Sequence, residues 1–157
     1  MSLKSRRKTD AESADDAAIR LLARREHSRG ELRSKLTERG LEQAAVEVAL
    51  DRLESRGLLS DARFTESFVR HRVGQGHGPT RIRADLRQRG VADSLVQAVL
   101  DEAEADWEAL ARDVRIRRFG PALPADYREH SKQMRFLQYR GFPTDIIRRV
   151  MTDEDKT

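Results

Sequence analysis

The pair Arg-Gly recurs at positions 39–40, 89–90 and 140–141, spaced 50 and 51 residues apart, and a fixed period of that size marks a chain built from internal copies. Before each glycine lie apolar residues at helical spacing: Leu32 and Leu36, then Ile82 and Leu86, then Leu137. Leu41, Val91 and Phe142 follow directly, and further on Val46, Ala49, Leu50 and Leu53 are matched by Val96, Val99, Leu100 and Ala103 and by Ile147, Val150 and Met151. These fall at i, i+3, i+4 and i+7, so each copy holds a short helix, a glycine stop and a second amphipathic helix. No segment alternates as a strand. The pattern predicts an all-α chain of three tandem three-helix repeats of about 50 residues, forming an elongated, curved array.

The middle copy is the clearest. Pro79 suits a first helical position, where its missing N–H has no partner to lose, and Gly90 suits a left-handed cap, so a helix is expected over about 79 to 89. Its Pro79, Ile82 and Leu86 share one face, and Thr80, Arg83, Ala84 and Arg87 the other. In the first copy Ser28 and Glu31 have the spacing of a capping box, after a helix begun by Ile19, Leu22 and Ala23. In the third, Gln133 stands where the pattern wants Leu or Ile. The expected divisions are a disordered basic tail over 1–13, repeats over 14–59, 60–105 and 106–152, and an acidic tail over 153–157.

With 38% hydrophobic and 37% charged residues, a chain of 157 is too polar for one large core and fits three small ones. The absence of cysteine excludes disulfides and thiolate metal sites. Neither a signal peptide nor an 18-residue apolar run is evident. Catalytic patterns are lacking too. His27, His71, His77 and His130 show no metal-ligand spacing, and neither a nucleophile elbow nor a dinucleotide fingerprint occurs, so no enzyme and no cofactor is expected. The run Gly74-Gln75-Gly76-His77-Gly78 has no preceding strand and no following Gly-Lys-Ser/Thr. It reads as a hinge, the most flexible stretch of the chain, with a backbone contact to phosphate as the alternative. Trp107 and the phenylalanines read as core.

The cations are 26 Arg against 5 Lys, a bias that favours bidentate grip on carboxylate or phosphate. Residues 63–89 alone carry seven Arg against Glu66 and Asp85. Arg70, Arg72, Arg81, Arg83, Arg87 and Arg89, with Arg115, Arg117, Arg118, Lys132 and Arg135 of the third copy, are therefore the candidate binding residues for a polyanion or an acidic protein surface. A helix, a turn and a helix also suggests a general DNA-binding protein. Yet the helices after the first two turns carry Glu42 and Glu47, and Asp93, Asp101 and Glu102, which phosphate would repel; only the third, with Arg148 and Arg149, suits a groove.

The segment Phe64-Thr-Glu-Ser-Phe68-Val-Arg-His-Arg72 followed by Gly78-Pro-Thr-Arg-Ile-Arg-Ala-Asp-Leu-Arg-Gln-Arg-Gly90-Val91 resembles the bacterial RecX family over about residues 15–152. Leu58-Leu59-Ser-Asp-Ala-Arg-Phe64 fits the same pattern. The resemblance implies a cytoplasmic, non-enzymatic modulator of the RecA recombinase. Such a protein would bind as a monomer in the groove of the RecA filament, touch single-stranded DNA weakly, and damp recombination and the SOS response.

Overall fold

The computed structural model describes residues 3–152, with side chains from residue 13 onward. Among the described residues the chain forms nine α-helices and no strand. They are α1 (Leu3–Arg24), α2 (Arg29–Glu38), α3 (Gln43–Ser55), α4 (Asp61–Gly74), α5 (Pro79–Gln88), α6 (Asp93–Ala103), α7 (Trp107–Phe119), α8 (Tyr127–Tyr139) and α9 (Thr144–Val150). Of the basic tail expected over 1–13, residues 3–13 form the first turns of α1, since no glycine or proline there stops the helix. Met1, Ser2 and the acidic tail over 153–157 lie outside the described residues.

The chain packs as two compact units, one made of the residues up to 67 with 87–95, the other of 68–86 with 96 onward. In the first, Ala18 and Leu21 of α1 bury against Leu32 and Leu36 of α2 and Val46, Leu50 and Leu53 of α3, with Leu59. The inner stripe of α1 is Ala14, Ala18 and Leu21, whereas Ile19, expected inside, is 40% exposed. Small residues on that stripe let the α1 and α3 backbones come close, and Ile19 lies off it. Leu59 is buried, but Leu58 beside it is exposed. The capping box of α2 forms as its spacing demands: the Glu31 amide donates to Ser28 Oγ at 3.0 Å and the Ser28 amide to the Glu31 carboxylate at 3.2 Å.

In the second unit Ala111, Val114, Leu137, Phe142, Ile147, Val150 and Met151 form the core of α7, α8 and α9. Gln133, the residue that breaks the repeat, is buried, and so is Arg115 at 3% exposure. Arg115 donates to the Ala122 and Pro121 carbonyls at 3.2 and 3.4 Å and to Gln133 Oε1 at 3.5 Å, while Gln133 Nε2 donates to Glu129 at 3.2 Å. A buried guanidinium needs such acceptors, and Gln133 supplies one where leucine would supply none.

One docking device occurs in both units. In the first, Ser28 Oγ at the start of α2 donates to the Arg89 carbonyl at 2.7 Å, and Gly30 lies so close that a Cβ there would sit 2.5 Å from that same oxygen. In the second, the amides of Gly78 and Thr80 at the start of α5 donate to the carbonyls of Arg140 at 2.8 Å and Gly141 at 3.0 Å. In each unit the start of one helix thus donates to the carbonyls that close another about 60 residues away, through the Ser28 hydroxyl in the first and through free helix amides in the second. This also revises the glycine run before α5. Gly76, His77 and Gly78 are buried, with their amides bonded to the Val73, Arg72 and Arg140 carbonyls, so the segment is a packed turn and its free amides are spent on the chain itself.

Ion pairs knit the first unit. Arg29 reaches Glu47 at 2.7 Å, Asp51 at 2.8 Å and Glu54 at 3.1 Å, and Arg33 also grips Glu47. The Arg33 and Arg29 hydrogen bonds hold the Glu47 carboxyl down to about 2. A carboxylate depressed on folding contributes stability that is present above its ordinary 4.5 and is lost as pH falls toward 2. Burial lowers His27 below its ordinary 6.5, which removes stability in the same direction as pH falls below that value. The melting temperature is therefore expected to fall steadily from pH 6.5 to 3, and Glu47→Gln to flatten the part below 4.5. Circular dichroism melts across that range check it; a flat profile for the parent would refute the role given to these groups.

Candidate functional site

Helix α5 places its residues as the spacing predicts. Pro79, Ile82 and Leu86 are buried, and Arg83 and Arg87 stand exposed on the other side. Arg83 donates to Gln97 Oε1 at 2.9 Å, and Arg87 pairs with Asp93 at 3.3 Å through two side chains about 70% exposed. Arg70 is exposed and Arg89 half-buried.

Arg72 and Arg81 go elsewhere. The Arg72 guanidinium lies 4.8 Å from the centre of the Phe68 ring and Arg81 lies 5.2 Å from that of Tyr139. Both approach His77, which is 7% exposed and whose Nδ1 has no hydrogen-bond partner. Burial first, then Arg81, Arg72 and Arg140, push His77 below its ordinary value against the weaker pull of Asp85. His77 is thus held neutral near pH 7.

The third-repeat candidates divide. Arg115 leaves the set, because its burial commits all its visible bonds to the fold. Arg135 is exposed, its Nε donating weakly to the Ser131 carbonyl at 3.4 Å. Of the rest, Arg118 and Lys132 come together around two rings, and Arg117 lies on the same helix as Arg118. Phe119 and Phe136 meet edge to face at 5.3 Å, Arg118 lies 5.8 Å from each ring centre, and Lys132 lies 6.0 Å from that of Phe119. Arg140, absent from the candidates because it reads as part of the Arg-Gly stop, lies 5.3 Å from the Phe136 centre and donates to the Gln75 carbonyl at 2.9 Å. Guanidiniums held against rings keep their N–H edges outward and lose little freedom on binding.

Arg117, Arg118, Arg140 and Phe136, with Gly74 and Gly76, line an open cleft of about 470 Å³. Arg117 pairs with Asp113 on its rim at 3.1 Å. Trp107, expected in the core, is only half-buried. Among the described residues no cluster of His, Asp or Glu could hold a metal ion, and no helix is long and apolar enough to cross a membrane.

Fold and surface together define a protein of tandem three-helix repeats whose exposed chemistry is arginine supported by aromatic rings. Three family models match it in chain order: the first three-helix domain of RecX over residues 14–53, the second over 60–100 and the third over 104–151. The chain belongs to the RecX family. It is 52% identical over 146 residues to the regulatory protein RecX of Halorhodospira halophila, covering 93% of this chain and 91% of that one. With the regulatory protein RecX of Pseudomonas putida it shares 49% over 138 residues, 88% of each chain. Two crystal structures of RecX proteins share the fold. One covers 90% of this chain and 72% of its own at a TM-score of 0.78 and 23% identity; the other, from Lactobacillus salivarius, covers 91% and 95% at 0.75 and 22%.

Proposed function

We propose that this chain is a non-enzymatic regulator of the RecA recombinase, lying in the groove of the RecA filament on single-stranded DNA and limiting its growth. Recombination and the SOS response would be damped in consequence. The observation that carries this is its identity of about half its residues, over most of both chains, with relatives named regulatory proteins. The repeats suit the role physically, because several weak contacts on one chain act at high effective concentration along a filament. A monomer acting in the cytoplasm suffices for it. The rival, a general DNA-binding protein, is disfavoured by exposed Glu42, Asp93, Asp101 and Glu102 on the helices that would enter a groove.

Salt separates the two. Binding that only neutralises phosphates loses counterions, and for single strands log K falls with log salt at about −0.7 per contact. Contacts with protein add apolar burial, which salt leaves nearly untouched. Co-sedimentation with RecA filaments is expected to be tighter than with bare single-stranded DNA and to weaken less between about 50 and 200 mM salt. Equal slopes and equal affinities would leave the general DNA-binding reading in its place.

A further inference from the structure

The charge of the chain is unevenly owned. Residues 14–59 hold nine basic and nine acidic side chains and 60–105 hold seven of each, whereas 106–152 hold ten basic against six acidic. That excess of four equals the net charge of the whole protein. In the first repeat Arg29 alone is shared among Glu47, Asp51 and Glu54; in the third, Arg118 has aromatic rings for neighbours and, among the described residues, no carboxylate partner.

The cleft beside Arg118 has a second property, an apolar side. Val73, Leu110 and Val114 line it along with the guanidiniums. Its volume, about 470 Å³, lies in the range that encloses a small organic molecule, well above what a lone carboxylate would fill. Arginines beside an apolar wall match a phosphate joined to a flat base, since guanidinium edges grip the oxygens and guanidinium faces stack on the ring. We propose that this cleft is a nucleotide-unit site, in which Arg117, Arg118 and Arg140 hold the phosphate and the apolar wall with the arginine faces takes the base. It deepens the weak single-strand contact proposed above, and it requires no RecA for its test.

Gly74 offers that test without touching charge. It is the last residue of α4, it lines the cleft, and a Cβ added to it would meet no atom within 4 Å. Gly74→Leu should therefore fold, because leucine is the better helix former, while filling the cleft. With a labelled oligothymidylate as probe and fluorescence anisotropy at fixed salt, Gly74→Leu and Arg118→Ala are each expected to weaken binding about tenfold, the worth of one charge-assisted hydrogen bond. Arg56→Ala, which removes the same charge from an exposed residue of the first repeat far outside the binding set, should change it by less than about twofold. Unlabelled thymidine monophosphate then distinguishes the sources: competition identifies a site for a free nucleotide, and its absence a site for a unit within a strand. Parent-like binding by Gly74→Leu would overturn the site. If that variant fails to fold, equal weakening by Arg118→Ala and Arg56→Ala would overturn it instead, by reducing the effect to diffuse charge.

Discussion

Gly141→Ala is expected to lower the melting temperature by about 10 °C, and Gly40→Ala by only about 3 °C, although both glycines close the second helix of a repeat. Both adopt the left-handed region, with φ of +98° and +84°. A side chain there costs about 1–2 kcal/mol at either position. The difference lies in what surrounds them. Around Gly40 a Cβ would meet nothing within 4 Å, whereas at Gly141 it would collide with the Cβ of Arg81 and lie 2.7 Å from its amide nitrogen and 3.0 Å from its Cα. Those atoms belong to the backbone of α5 and cannot swing aside, so the Gly78 and Thr80 bonds to the Arg140 and Gly141 carbonyls must lengthen. Overpacking of this kind adds about 1–3 kcal/mol, and 1 kcal/mol is worth about 2–4 °C in a chain of this length. Circular dichroism melts of the two variants decide it. Equal losses would mean that Gly141 is kept for its φ alone and that the close approach contributes nothing.

What could be read from the chain was what local spacing determines. Ile82 and Leu86 mark the inner side of α5, Ser28 and Glu31 cap α2, and the recurring glycine ends each second helix, because each depends on residues within about a turn of one another. What escaped depends on partners far along the chain. Gly76, His77 and Gly78 look like a hinge until the Arg140 carbonyl, more than 60 residues on, takes the Gly78 amide. Arg115 looks like any exposed cation beside Arg117 and Arg118, and only the Pro121 and Ala122 carbonyls and Gln133 make it an interior group. The Gln133 anomaly was the available signal, since a polar residue at a core position implies a buried polar partner. Arg140 was hidden for the opposite reason: its place in the Arg-Gly repeat explains its backbone and says nothing of its side chain against Phe136.

On the function proposed above, charge reversal on α5, Arg83→Glu with Arg87→Glu, is expected to abolish the inhibition of RecA while moving the melting temperature by no more than about 3 °C. The stability side follows from exposure. Arg87 and Asp93 are each about 70% solvent-exposed, and exposed pairs of this kind contribute about 0–1 kcal/mol. Arg83 loses one hydrogen bond to Gln97, whose own amide stays bonded to Asp101 at 2.7 Å. The binding side follows from sign. Two arginines become two carboxylates, a change of four charges on a helix whose other face is committed to the interior by Ile82 and Leu86. Facing carboxylates or phosphates across an interface, like charges cost several kcal/mol, enough to reduce affinity by a thousandfold or more. Strand-exchange or filament-extension assays with RecA, read beside a thermal melt, test both halves at once. Full inhibition by the double variant would remove α5 from the contact surface and move the binding role to the third repeat, where Arg118 and its cleft would then have to carry it alone.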